Sequence, residues 1–321
     1  MSLASRISLD NSAAVFAAGP NEAVTAFDMR VLVTGANGQL GYDIVRLLSE
    51  LDITCRGVDI EELDITDAEA VSAYVANYAP THIVHCAAYT AVDRAESEPE
   101  KAMLVNVTGT KNLAAAAKNA GARFMYFSTD YVYGGGGNEP FTVTSPTAPL
   151  NKYGETKLMG EQAAAEELEG DNALTPALWR YLAVVRTSWV FGLHGGNFVK
   201  TMLRLGRERE RLTVVADQVG SPTYTRDLAR CAVDMLLLPK YPAGVFHATN
   251  EGYCSWYDFA CAILKSWNVP CEVVPIKTSE YKTAAVRPLN SRLDKSCLDA
   301  IGVPRLPSWQ DALARYLMEL H

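Results

Sequence analysis

Seven cysteines among 321 residues include no C-x-x-C pair. Their odd number and their scatter (Cys55, Cys86, Cys231, Cys254, Cys261, Cys271, Cys297) argue against a disulfide framework or a structural zinc site. A reducing, cytoplasmic compartment fits this usage best. The histidines His82, His85, His194, His247 and His321 show no H-x-x-x-H or Cys/His ligand spacing, so no catalytic transition metal is expected. No window offers ~18 uninterrupted apolar residues, which excludes a membrane-spanning helix on length. Positive charge is not in excess either: the net charge is −8 and the two signs are interspersed. Neither a phosphate-tracking basic surface nor a polybasic membrane patch can be built from that pattern, so neither nucleic acid nor a membrane is an expected partner.

What is present is enough apolar material, 49% of the residues, to bury a core of enzyme size. Residues 1–28 are rich in Ala, Ser and Asn and precede a second methionine, Met29, that opens a strand. Their apolar stretch, Ala13 to Gly19, is too short for a secretory signal, so they are read as a disordered extension or a cloning remnant. From Met29 onward, strands and helices alternate. Arg30–Thr34, Thr54–Asp59, His82–Cys86, Arg123–Ser128, Ala183–Thr187, Leu212–Ala216, Val245–Ala248 and Cys271–Ile276 have strand character. Between them, Gln39–Leu51, Ala68–Tyr78, the alanine-rich Pro99–Ala120, the segment from Tyr153 to about Leu168 and Phe198–Glu208 have helical spacing. The expected fold is α/β: a doubly wound parallel sheet of Rossmann type, with residues 29–190 as the dinucleotide-binding domain. Residues 191–321 are expected to form mainly a smaller substrate-binding lobe, with some elements returning to the first domain.

Gly35-Ala-Asn37-Gly38-Gln39-Leu40-Gly41 sits between the first strand and the first helix. There, small residues allow a tight turn, close backbone approach to a pyrophosphate and close helix–strand packing. Asp59, about 20 residues on at the end of the second strand, is placed for a ribose hydroxyl, and Asp64 competes for that role. The acid tilts toward NAD while nearby Arg56 offers a route to a 2′-phosphate, so the choice between NADH and NADPH stays open.

Tyr153-Gly-Glu-Thr-Lys157 puts a phenol and an ammonium on one helical face, so that the ammonium can lower the phenol's pKa toward the working range. Thr129, in Ser128-Thr-Asp-Tyr131 at a strand end, is placed to hydrogen-bond a substrate carbonyl. Its competing role is a turn cap. The loop Gly134-Gly-Gly-Gly-Asn-Glu-Pro-Phe141 suits a lid or a merely permissive surface turn.

With a glycine-rich loop, a Ser/Thr at a strand end and Y-x-x-x-K, the chain resembles the extended short-chain dehydrogenase/reductases. Further segments extend the match: Cys86-Ala-Ala-Tyr-Thr-Ala-Val-Asp-Arg-Ala-Glu-Ser97, Pro149-Leu-Asn-Lys-Tyr-Gly-Glu-Thr-Lys157, Arg186-Thr-Ser-Trp-Val190, Asn197-Phe-Val-Lys200, Asp217-Gln-Val-Gly-Ser-Pro-Thr223 and Arg287-Pro-Leu-Asn-Ser-Arg-Leu293. These are similar to the dTDP-4-dehydrorhamnose reductase family, and they cover nearly everything after Met29. The resemblance implies reduction of a dTDP-4-keto-6-deoxy sugar by NADPH or NADH, with Thr129, Tyr153 and Lys157 catalytic. It implies cofactor contacts at Gly35, Asn37, Gly38, Gln39, Leu40, Gly41, Asp59, Asp64, Ile65, Ala87, Ala88 and Tyr89, with Thr187 and Ser188 near the nicotinamide. On the sugar-nucleotide side it implies Val92, Asp93, Asp130, Tyr131, Trp189, Asn197, Gln218 and Arg287. Arg287 suits a bidentate grip on a diphosphate, against a surface salt bridge as the alternative. Trp189 either stacks on the sugar or fills the core. A homodimer is compatible with the family. Members are also associated with magnesium at a subunit contact, but no carboxylate cluster here is specific enough to assign it.

Three other readings share the scaffold. Dehydratases place an acid immediately after the Thr-Asp pair to protonate the leaving hydroxyl; Tyr131 stands there, which lowers that reading. An epimerase, or another sugar-nucleotide ketoreductase, remains open. A non-catalytic module like the regulatory subunit of methionine adenosyltransferase could dispense with the Thr129, Tyr153 and Lys157 set, all of which is kept here.

Overall fold

The computed structural model describes residues 29–320 in full and, before them, only the backbone of Val15–Ala18 and Glu22–Thr25, which pair antiparallel. The reading of residues 1–28 therefore falls almost wholly outside the described residues.

Six strands form one parallel sheet: β1 (Arg30–Thr34), β2 (Thr54–Val58), β3 (His82–His85), β4 (Arg123–Thr129), β5 (Leu182–Thr187) and β10 (Gly244–His247), in the order β10-β5-β4-β3-β1-β2. The chain leaves β1 toward one edge to make β2 and then crosses back to β3, so the strand order reverses between β1 and β3. Open α/β sheets bind ligands at such a reversal, beyond the carboxyl ends of the strands.

The strands read as continuous apolar runs because both faces of the sheet are covered. Val31 and Val33 of β1 point to one face, where Ile44 and Leu48 of α1 (Gln39–Glu50) and Leu228 to Leu236 of α8 (Thr225–Leu236) pack on them. Leu32 points to the other. There it meets Val71 and Val75 of α2 (Ala68–Tyr78), Leu113 and Ala117 of α5 (Thr110–Ala120), and Ala164 and Ala165 of α6 (Lys152–Glu169).

The alanine-rich segment from Pro99 is not one regular helix. The short helix α3 (Val92–Ser97) is followed by α4 (Pro99–Met103), a π-helical turn at Leu104–Gly109, and then α5.

Past β5, the short β6 (Val190–Phe191) leads to α7 (Phe198–Glu208) and β7 (Arg211–Val215). The short strands β8 (Val219–Gly220) and β9 (Thr223–Tyr224) precede α8, and β11 (Cys254–Ser255) follows β10. Then come α9 (Trp256–Ser266), β12 (Glu272–Ile276), the short β13 (Asn290–Ser291), α10 (Ser296–Ala300) and α11 (Trp309–Glu319). β7 and β12 pair parallel with each other, apart from the main sheet. Phe191, Tyr224, Phe259, Trp309 and Tyr316 form an aromatic core for this part of the chain. α8 and β10 instead return to the six-stranded sheet. Among the described residues, no helix is long and apolar enough to cross a membrane.

Candidate active site

The glycine loop is crowded backbone against backbone. Gly35 adopts φ 69°, and a Cβ there would sit 2.6 Å from the amide nitrogen of Ala87, at the end of β3. A Cβ on Gly41 would collide with the Gly35 carbonyl. The two turns at the sheet's reversal therefore meet without intervening side chains. Gly38 precedes α1 in extended conformation and no side chain caps that helix, so the positive end of its dipole lies open where an anion would bind.

Asp59 is engaged by this loop: its Oδ2 accepts from the Asn37 amide at 2.9 Å and its Oδ1 from the Ile60 amide at 2.9 Å. Asp64 accepts from the amide and hydroxyl of Thr66, an Asx turn, and Ile65 is buried against Gly109. Gln39 accepts from Asn197 Nδ2 at 3.2 Å, while Leu40 packs toward the core beneath β1. Beyond β3, Ala87 donates from its amide to Thr34 Oγ1 (3.4 Å), Ala88 is half-buried, and the Tyr89 amide donates to Asn106 Oδ1 at 2.8 Å. At the end of β5, the buried Thr187 Oγ1 has no hydrogen-bond partner, and Ser188 donates to the Ser221 carbonyl. A side-chain-free cradle, an uncapped helix start and an orphaned hydroxyl together fit a bound dinucleotide.

Thr129 ends β4. It caps the single turn Asp130–Val132 by accepting from the Tyr131 amide (3.2 Å), and it donates to Asp130 Oδ1 (3.0 Å). The turn-cap role is therefore realised, and the same residue adjoins Tyr153, whose ionised form its hydroxyl favours. Asn151 starts α6 by accepting from the Gly154 amide at 2.8 Å, which fixes the turn that carries Tyr153. The Tyr153 ring meets the edge of Tyr131 at 5.6 Å between centroids. Desolvation pushes the Tyr153 hydroxyl up to about 12, with the Thr129 hydrogen bond opposing and the Asp130 charge adding. Asp130 is itself buried, with Oδ2 unpartnered, and burial pushes it up to about 6.

Lys157 is buried one turn further along α6, with Nζ over the ring of Tyr126 at 4.0 Å. Burial pulls its ammonium down to about 7 against the opposing charge of Glu161. This differs from the expectation that the ammonium lowers the Tyr153 pKa. The Lys157 ammonium lies on the face of Tyr126, burial raises the Tyr153 hydroxyl, and the group opposing that rise is the Thr129 hydroxyl.

On the opposite wall, Asp93 and Arg287 pair with each other. Nη1 donates to Oδ1 at 3.1 Å and Nη2 to Oδ2 at 2.6 Å, and Asp93 also accepts from the Ala285 amide. The guanidinium holds the Asp93 carboxyl below the usual range. Val92 opens α3 beside it. Trp189 has φ 50° and stacks on Trp256 at 3.7 Å between centroids, so one face of its indole is covered. Asn197 caps α7 through Oδ1, and Gln218 is buried with Nε2 donating to Thr278 Oγ1. The glycine-rich loop is pinned at both ends: the Gly135 carbonyl accepts from the Asn290 amide, the Phe141 amide donates to the Arg292 carbonyl, and Phe141 stacks on Tyr133.

Two positioning residues lie outside the site expected from the sequence. Asn106, inside the π-helical turn, accepts from the Tyr89 amide and donates to the Tyr89 carbonyl and to Thr156 Oγ1, tying the turn after β3 to α6. Its only sequence signal is a polar residue in an apolar helix. Asn151 had a signal, an Asn immediately before a helix.

The family model described as RmlD substrate binding domain matches residues 29–321. The dTDP-4-dehydrorhamnose reductase of Burkholderia thailandensis is 40% identical, over 91% of this chain and 99% of that protein. The chain belongs to the dTDP-4-dehydrorhamnose reductase family. A solved family structure from Bacillus anthracis, in complex with NADP, superposes with a TM-score of 0.84 at 40% identity, covering 91% of this chain and 99% of that one. A Streptomyces niveus relative named dTDP-4-keto-6-deoxy-D-glucose reductase is 38% identical over 89% of this chain and 96% of its own length.

Proposed function

We propose that this chain reduces the 4-keto group of dTDP-4-dehydro-6-deoxy-L-mannose to dTDP-L-rhamnose, with NADPH or NADH as reductant. The observation that carries the reading is that Thr129 at the carboxyl end of β4 adjoins Tyr153 of α6, with Lys157 one helical turn on and next to Cys86, which abuts Gly35 of the glycine loop. Gly35, Gly38 and Gly41 line the pyrophosphate position; Ala87, Ala88, Tyr89 and Thr187 continue the cofactor wall. When bound, the nicotinamide supplies the hydride.

The chain's own part is to hold the ketone and protonate it. Thr129 and Tyr153 present hydroxyls to one point, where a C4 oxygen accepts from both. With its hydroxyl pushed up to about 12, Tyr153 is fully protonated at neutral pH. An alkoxide is more basic than a phenolate, so proton transfer from Tyr153 to the C4 oxygen runs downhill. Lys157, as an ammonium, serves the ribose hydroxyls of the nicotinamide half. Arg287 turns its remaining donors to the diphosphate while Asp93 orients it.

NADP in the Bacillus anthracis relative supports NADPH as the reductant. The Asp59 carboxylate already serves two backbone amides, which weakens the case for NADH built on its charge. Replacing Tyr153 by Phe tests the mechanism: turnover is expected to fall by roughly 10²–10⁴-fold while the NADPH dissociation constant stays within about two-fold. Unchanged turnover in that variant would refute the proton-donor role. Running the assay with dTDP-4-keto-6-deoxy-D-glucose as well identifies which ketosugar is preferred.

A further inference from the structure

A chain of buried polar groups lies beneath the proposed proton donor, and the reduction itself does not use it. Glu161 follows Lys157 by four residues on α6, on the same helical face. It is gripped by Arg186 of β5, with Nε to Oε1 at 2.9 Å and Nη2 to Oε2 at 2.6 Å, and it also accepts from the Ser128 hydroxyl. Both side chains are 6% exposed. Arg186 Nη1 donates to the Tyr133 hydroxyl at 2.7 Å, and that hydroxyl lies 2.7 Å from His247 Nε2. His247 Nδ1 donates to the Asp294 carbonyl, so Nε2 accepts from Tyr133.

A buried ion pair is costly to desolvate and is weak evidence of a stabilising role by itself. The groups around Lys157 point to another role. His85 and Cys86 face it from β3 and the turn after it, Tyr126 from β4, and Tyr153 and Glu161 from its own helix. Burial keeps His85, Cys86, Tyr126 and Tyr153 in their neutral forms near neutral pH. Glu161 is therefore the one anion among these neighbours, and Arg186 sets how much of its charge Lys157 feels.

We propose that Glu161 and Arg186 are positioning residues for Lys157. Glu161 holds the ammonium charged in its buried site, and Arg186 moderates that hold from the far side of the carboxylate. The proposal rests on Lys157 acting in the reduction as described above.

The test is the pH profile of kcat and kcat/KM for the full chain with NADPH and the ketosugar, in Glu161→Gln, Arg186→Met and the double variant. Losing the carboxylate leaves Lys157 facing Arg186 alone, so the basic limb of kcat moves to lower pH by about one unit or more. Arg186→Met frees the full charge of Glu161 and moves the limb to higher pH. A purely structural pair would not shift the two limbs in opposite directions. In the double variant the limb falls between those of Glu161→Gln and the wild type, because the nearer charge dominates. That variant removes the buried Glu161–Arg186 pair as a unit, leaving neither partner stranded, so it carries the test if a single variant does not fold. Limbs that move together, or a double variant whose limb coincides with the wild type, overturn the proposal. Lys157→Met separates the two failures. If it turns over normally, the role of Lys157 itself is wrong. If it is inactive while the Glu161 and Arg186 profiles stay fixed, only this proposal falls.

Discussion

Asn151 makes two contacts that can be removed separately. Its Oδ1 accepts from the Gly154 amide at 2.8 Å and caps α6; its Nδ2 donates to the Val286 carbonyl at 2.8 Å, fastening the segment that carries Arg287. The residue is 7% exposed, so neither contact is readily replaced by water. Removing an N-cap costs about 1 kcal/mol, and the lost hydrogen bond to Val286 about 1 kcal/mol more. Asn151→Ala is therefore expected to lose about 2 kcal/mol, read as a lower midpoint in urea at unchanged slope. Ser caps helices well but is too short to reach Val286, so Asn151→Ser is expected to lose about 1 kcal/mol. Both variants release the Arg287 segment and should raise the ketosugar KM, whereas only Asn151→Ala loosens the turn holding Tyr153 and should also lower kcat. If Asn151→Ser matched Asn151→Ala in stability, or neither differed from wild type, the division of labour argued here would be refuted.

Gly35→Ala must adopt φ 69° and push against Ala87; the left-handed backbone alone costs about 1–2 kcal/mol, so a lower melting temperature and at least about ten-fold weaker NADPH binding by fluorescence titration are expected. Acid stability follows from His82, His85 and His247, which burial pulls down to about 3. Their neutral forms are favoured in the fold, so the stability they contribute is fully present above the unfolded value near 6.5 and is lost as pH falls below it. The loss is about 1.4 kcal/mol per pH unit for each histidine, down to pH ~3. Urea midpoints measured from pH 7 to pH 4 should fall steeply below pH 6, and a flat profile would contradict the burial of these rings. The pH profiles of the Glu161 and Arg186 variants and the kinetics of Tyr153→Phe complete the set.

Strand and helix alternation was legible because each strand is buried on both faces and each helix on one, and that burial is written into apolar spacing. Helix Ala68–Tyr78 matches residue for residue, and the expected strands lie within a residue or so of those observed. The π-helical turn at Leu104–Gly109 left no trace in a run of alanines, since it is set by what Asn106 must reach rather than by propensity. The placement of the glycine loop between β1 and α1, of Thr129 at the end of β4 and of Tyr153 and Lys157 one turn apart on α6 was legible from spacing. The pairing of Asp93 with Arg287 and of Glu161 with Arg186 was not, because the partners lie 194 and 25 residues apart and meet only through the fold. The covered face of Trp189 was hidden for the same reason: Trp256 reaches it from α9.

Stoichiometric reduction at C4 of a dTDP-linked ketosugar is the reaction this chain is proposed to perform. Following NADPH absorbance with limiting dTDP-4-dehydro-6-deoxy-L-mannose tests it most directly, with the product's C4 configuration read by NMR. One NADPH is expected to be oxidised per sugar, with a new C4–H bond in dTDP-L-rhamnose. Epimerised sugar without net NADPH loss, or no turnover at all, would contradict it.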